Sequence, residues 1–380
     1  MSVGKVFRSI SWWLVLVAVL SLTACGQPPS SPQSQGTPTS APVGASEEMG
    51  HRTPSNGDGK LRRVALIIAQ GGLGDQSYND LAYSGLQAAA HDFTNLVVQP
   101  IQSADIVAQG QSILQQAATN KFDLVINLEF SLADALNKVA PSFPDTQFAM
   151  VNLEVKQPNV TSILFQEQEG SYLAGALAAM VTKDTSIKGI NADKKIGAIG
   201  GTKSTGIDKF LVGYQQGAQD VDKDVQVLIA YSNNFGDPAK GKELADAQFS
   251  QGADIVYQVA GGTGQGIIQA ARESGHFAIG VDTDQDFLAP GNVLTSMIKR
   301  TDLAVYDLCK DLANGQLKGG STRYYGLSNG GVGLSPMKYT RSLIPKEYLD
   351  RIEQIKQDII SGKIKVWNVI EQGYPDWFQK

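Results

Sequence analysis

Short apolar runs alternate with helical stretches along almost the whole chain from residue 60 onward, and this alternation restricts the fold more than any other feature. The runs 63–69, 96–101, 123–128, 147–152, 161–165, 195–200, 225–230, 254–259, 277–281 and 293–298 are short, apolar and rich in β-branched residues. Runs of this length and composition read as strands buried on both faces. Between most of them, 79–92, 105–119, 132–140, 168–183, 206–221, 238–251, 264–274 and 302–313 carry apolar residues at helical spacing. Strand–helix alternation means parallel sheets with right-handed crossovers, so the fold class is α/β. Roughly 320 residues are too many for one core, which predicts two doubly wound parallel-sheet lobes. Residues 61–165 plus 284–320 are expected in the N-terminal lobe, and 166–283 plus 321–380 in the C-terminal lobe.

The residues before this alternation belong to targeting rather than to the fold. Lys5 and Arg8 precede an apolar run from Trp12 to Ala24, too short to span a bilayer and suited to a signal peptide covering residues 1–24. The run ends in Leu22-Thr23-Ala24-Cys25-Gly26, which looks like a bacterial lipobox with Cys25 as the lipidated first residue of the mature protein. Residues 25–60 are rich in Pro, Ser, Gln, Gly and Thr and have no aromatic residue, so a disordered, lipid-anchored tether is expected. Treated as a coil, 35 such residues reach about 30 Å. Loss of the leader removes two positive charges and takes the formal charge from −5 to −7, which argues against nucleic acid as a partner. With Cys25 acylated, Cys309 has no partner for a disulfide and reads as a small core residue.

Enzyme motifs fail on spacing. Gly200-Gly201-Thr202-Lys203-Ser204 lacks the glycine that a phosphate loop needs immediately before its lysine. His91 and His276 stand apart from any H-E-x-x-H or cysteine cluster, so neither a catalytic residue nor a metal or cofactor is expected. Polar and aromatic groups recur instead at the carboxyl ends of successive strands, where open α/β sheets bind ligands. The first is the turn Gly71–Ser77 with Asp75, followed by Asn79 and Tyr83 at i and i+4 on the next helix. Ser77 and Asp80 resemble a capping box that starts this helix near Tyr78. Asp134, Phe235, the run Gly261–Gly266, the loop Asp282–Asp286 and Lys299 follow later strands in the same way. Each has an alternative reading as turn chemistry, a helix-start carboxylate or a solvated loop. Only their recurrence at one end of the sheets points to a site.

Several of these stretches are familiar together. Gly74-Asp75-Gln76-Ser77-Tyr78-Asn79, Glu169-Gly170-Ser171-Tyr172-Leu173-Ala174-Gly175, Asp237-Pro238-Ala239-Lys240-Gly241-Lys242-Glu243, Gly261-Gly262-Thr263-Gly264, Gly280-Val281-Asp282-Thr283-Asp284-Gln285 and Leu294-Thr295-Ser296-Met297-Ile298-Lys299-Arg300 resemble the basic membrane protein family. The resemblance spans nearly all of 62–330. It implies a type I periplasmic-binding-protein fold with a three-crossing hinge, and a lipoprotein that captures a nucleoside, purine in particular, for an ABC permease and its ATPase. On that basis Tyr83 and Phe235 would sandwich the base, one ring from each lobe. Asp75 and Asp134 would accept hydrogen bonds from the base edge. Asp282 and Lys299, with the backbone near Gly261, would hold the ribose, Asp284 being the substitute if the alignment slips by two. The chain departs from the family pattern at Tyr78, where Phe is usual, at Tyr83, where Trp or Phe is usual, and at Glu129, where Gly is common.

The implied protein is a monomer held to the membrane by acylated Cys25 and facing away from the cytoplasm. A receptor for another polar ligand such as a sugar, or a sensor lipoprotein with no transport role, would use the same architecture. Paired rings favour a flat base over a sugar.

Overall fold

The computed structural model describes residues 55–378, so the expected signal peptide and Cys25 lie outside the described residues. The first half of the alternation gives β1 (Arg62–Ile67), α1 (Tyr78–Asp92), β2 (Leu96–Ile101), α2 (Ile106–Thr119), β3 (Leu124–Asn127), α3 (Ala133–Val139), β4 (Gln147–Val151) and β5 (Val160–Phe165). There follow α4 (Glu167–Val181), β6 (Lys195–Gly200), α5 (Thr205–Val221), β7 (Gln226–Tyr231), α6 (Pro238–Ser250), β8 (Ala253–Val259), α7 (Gly264–Ser274), β9 (Phe277–Asp282) and β10 (Val293–Lys299). The chain ends with α8 (Thr301–Ala313), β11 (Ser321–Tyr325), β12 (Val332–Leu334), α9 (Lys346–Ile360) and α10 (Val369–Gln372).

The strands form two six-stranded sheets, ordered β11-β5-β4-β3-β1-β2 and β12-β10-β9-β8-β6-β7. All pairings are parallel except β10 with β12. The central strands are apolar on both faces because helices cover both faces; β3 and β8 are buried throughout. The chain passes between the sheets three times, at β5–α4, β10–α8 and β11–β12, which is the topology of a type I periplasmic-binding fold.

Two expected boundaries move. Residues 284–320 were assigned to the N-terminal lobe, but β10 lies in the second sheet beside β9. Residues 321–380 were assigned to the other lobe, but β11 extends the first sheet beside β5. The crossings therefore fall at 299–301 and 325–332, because the chain returns to α8 only after completing β10. The tether also ends earlier than residue 60. Ser55 N–H donates to Asp92 O at 2.7 Å and Asp58 N–H to Ala313 O at 2.9 Å, which docks residues 55–58 on the first lobe.

Candidate functional site

The carboxyl ends of both sheets face one another across a cavity between the lobes. Its interior gives about 170 Å³ to the centre of a water molecule, and one water needs about 10–15 Å³ on that measure, so there is room for a compact small molecule. The glycine-rich turn after β1 forms one wall. Gly71 has φ +94°, and a Cβ there would meet Phe235 O of the other lobe at 2.9 Å, so this close approach requires glycine.

Asp75, not Ser77, caps α1. Its Oδ1 accepts from Ser77 N–H (3.0 Å) and Asp80 N–H (3.1 Å), and its Oδ2 from Asn79 N–H (2.9 Å). Asp80 reaches back to Gly74 and Gln76 N–H, so the expected Ser77–Asp80 box is replaced by two carboxylates. Oδ2 takes only one of these donors and keeps acceptor capacity, and Asp75 lines the cavity. Burial pushes the Asp75 carboxyl up to about 7, against the pull of the three N–H donors. Asn79 braces the turn: its Oδ1 accepts from Ala69 N–H at 2.9 Å.

Ser77 is freed to cross the cleft, and its Oγ donates to Asp282 Oδ2 at 2.6 Å. Gln285 Nε2 donates to Gln76 O (3.0 Å) and Gln265 Nε2 to Gly74 O (3.1 Å), so loops of the second lobe hold the first lobe's turn in a closed arrangement. Asp282 has φ +68° at the end of β9, a strained left-handed position for a residue other than glycine. Burial raises its carboxyl above the usual range, with Lys299 and Ser77 opposing.

Lys299 is buried at the end of β10. Its Nζ is 3.0 Å from Glu167 Oε1 and 2.7 Å from Asn152 Oδ1 across the cleft, and lies 5.0 Å from the centre of the Tyr78 ring. Glu167 also pairs with buried Lys209, at 2.8 Å. Burial alone would raise Glu167, but the two lysines outweigh it and hold the carboxyl below its ordinary range. Glu167 stands at the first crossing and Lys299 at the second, so the ionic cluster joins the hinge to the cavity floor. Four carboxylates (Asp75, Glu129, Glu167, Asp282) and two lysines line the cavity, an excess of acceptors that suits a neutral ligand rich in N–H and O–H groups. Among the described residues no cluster of three or more His, Cys, Asp or Glu could hold a metal ion.

Of the residues expected from sequence, Asp75, Phe235, Gly261, Asp282 and Lys299 line this one cavity. Tyr83 and Asp134 do not. Tyr83 lies five residues into α1, about 140° around the helix from Tyr78, and packs on the core. Asp134 is exposed on α3, because a 3-10 turn, Phe130–Leu132, intervenes after β3. Asp284 lines nothing here and turns to Asp286, whose N–H it accepts at 3.2 Å. In place of Tyr83 and Asp134 the first lobe offers the rings of Tyr78 and Phe130, and Glu129, whose carboxylate accepts from Gln70 N–H (3.0 Å) and Ser131 Oγ (2.7 Å). Glu167 and Lys209 were missed, although each is a charge set beside an apolar run, 161–165 and 210–212 respectively.

The sequence model of the Bmp family, described as ABC transporter substrate-binding protein PnrA-like, matches residues 62–368. The chain is 34% identical over 324 residues to the CD4+ T-cell-stimulating antigen of Listeria monocytogenes, covering 80% of this chain and 87% of that protein. It is 34% identical over 340 residues to the ABC transporter nucleoside-binding protein BmpA of Lactococcus lactis, covering 82% and 92%. An ABC transporter solute-binding protein from Aeropyrum pernix K1 superposes with a TM-score of 0.73 at 31% identity, covering 81% of this chain and 93% of that one. Sequence and fold agree with these relatives, and the chain belongs to the Bmp family of PnrA-like ABC transporter substrate-binding proteins.

Proposed function

We propose that this protein is a lipid-anchored extracytoplasmic receptor that closes on a nucleoside, purine in particular, and presents it to an ABC permease. The observation that carries the reading is the cavity itself. Aromatic rings reach it from both lobes, Tyr78 and Phe130 from the first and Phe210 and Phe235 from the second, beside acceptors at Asp75 and Asp282. Rings suit the faces of a base, and carboxylates suit its N–H edge and a vicinal diol. The name of the Lactococcus relative supports the same ligand class. The run Leu22-Thr23-Ala24-Cys25-Gly26, which looks like a lipobox, supports anchoring through Cys25. A mature chain whose mass carries no acyl group on Cys25 would refute the anchor.

Thermal shift and calorimetry with adenosine, guanosine, uridine, AMP, ribose and glucose test the ligand. Nucleosides are expected to stabilise the protein, AMP less so because of the acidic lining. Stabilisation by glucose with none by any nucleoside would overturn the reading. Stacking contributes about 1–3 kcal/mol per base, so Phe235→Ala is expected to weaken adenosine binding at least tenfold. Unchanged affinity would remove Phe235 from the site.

Asp75 adds a pH dependence. A base N–H donated to Asp75 favours the carboxylate, so binding releases the proton that the closed, ligand-free site holds below about pH 7. Affinity is therefore expected to rise between pH 5 and 7, by at most about tenfold per unit, and to level off above. Titrations at four pH values check this, and an Asp75→Asn variant with the same slope would contradict it.

A further inference from the structure

Of the residues that line the cavity, only Thr205 and Ile370 are exposed, Ile370 at 43%. The closed cavity therefore meets solvent where the N-terminus of α5 faces α10. Ile370 belongs to neither sheet's ligand-binding loops: it sits on a four-residue helix in the C-terminal segment, far in sequence from every other lining residue.

That helix is fixed to α5, which itself supplies Ile207, Lys209 and Phe210 to the cavity. Gln216 Oε1 accepts from Trp367 N–H (2.8 Å) while its Nε2 donates to Lys365 O (3.1 Å), and Gln215 Nε2 donates to Trp377 O (3.1 Å). Tyr374 OH donates at 2.6 Å to Asp208 Oδ2, a fully buried carboxylate in the first turn of α5 whose Oδ1 takes a second tyrosine, Tyr231. Asn368 Oδ1 caps the helix through Ile370 N–H (3.1 Å). These bonds hold the segment on either side of Ile370 and leave its apolar side chain at the opening. A large apolar group held half in water at a cavity mouth gains burial only from what passes it.

We infer that Ile370 is a specificity-determining residue: it sets the size of substituent that a bound nucleoside can project through this opening when the lobes are closed. The inference rests on the nucleoside reading. A shorter side chain widens the opening and a larger one narrows it, without touching the rings or carboxylates that hold base and ribose.

The test is calorimetric titration of the wild-type protein, Ile370→Ala and Ile370→Trp with adenosine and with adenosine carrying a benzyl group on N6 or on O5′. For at least one substituted compound, Ile370→Ala is expected to raise the ratio of its affinity to that of adenosine at least fivefold, and Ile370→Trp to lower it. Ile370 is exposed enough that both variants should fold, and circular dichroism verifies this. Adenosine binding with ratios that move less than fivefold in both variants overturns the inference alone. No adenosine binding to the wild-type protein overturns the nucleoside reading, and this inference with it.

Discussion

Glu167→Gln is expected to lower the unfolding free energy by about 3–5 kcal/mol and to abolish ligand binding at accessible concentrations. The carboxylate is buried between Lys209 at 2.8 Å and Lys299 at 3.0 Å, and its removal leaves two buried ammonium groups without the ion-pair partner they share. Breaking such a cluster costs far more than an exposed pair, because the surviving charges cannot regain their hydration. The loss reaches the ligand because Lys299 would no longer be held at the end of β10 beside Tyr78 and Asn152. The sign with pH follows from the lowered carboxyl. Its stabilisation is fully present above the unfolded value of 4.5 and is lost as pH falls through the lower folded value. Urea midpoints measured from pH 3 to 7 should therefore fall at the acid end for the wild-type protein and show less of that fall in the variant. A midpoint within error of wild type at pH 7 would show that the cluster contributes nothing net.

The cluster also shows where sequence reading stops. The parallel strands were legible because covering both faces with helices leaves short, buried and largely apolar runs such as 124–127 and 253–259. The hinge strands were not. β11 reads Ser-Thr-Arg-Tyr-Tyr and β12 only Val-Gly-Leu, both on sheet edges, so neither carries a buried run, and the lobe boundaries were misplaced with them. Within the site, residues near a strand's end were legible: Asp282 and Lys299 end their strands, Gly261 sits two residues past one, and Asp75 lies in the glycine-rich turn that follows β1. Residues whose direction depends on helix rotation were not, which is why Tyr83 packs away while Tyr78 lines the cavity. Glu167 and Lys209 lie more than forty residues apart and meet only through the packing of α4 on α5.

Asp282→Asn is expected to weaken ribonucleoside binding by at least a hundredfold and to collapse the preference for ribose over deoxyribose. The substitution is chosen for its backbone. At φ +68° alanine would add strain of its own, whereas asparagine tolerates the left-handed region and keeps the shape of the side chain. What it removes is the charge and one acceptor. Asp282 Oδ2 already takes Ser77 Oγ at 2.6 Å, while its Oδ1 has no protein partner among the described residues and borders the cavity. A carboxylate there can accept from the two hydroxyls of a vicinal diol, and an amide that turns its NH2 toward them meets donors with a donor. Hydrogen bonds to a charged group contribute about 1.5–3 kcal/mol each, so losing two supports a hundredfold change. Titration of both variants with adenosine and 2′-deoxyadenosine separates this from the neighbouring carboxylate. Asp284→Asn should leave the ratio near wild type, since Asp284 is bonded to Asp286 and lines no part of the cavity. If Asp284→Asn erases the ribose preference and Asp282→Asn does not, the diol is held by the other aspartate and the ligand sits deeper in the 282–286 loop than this cavity allows.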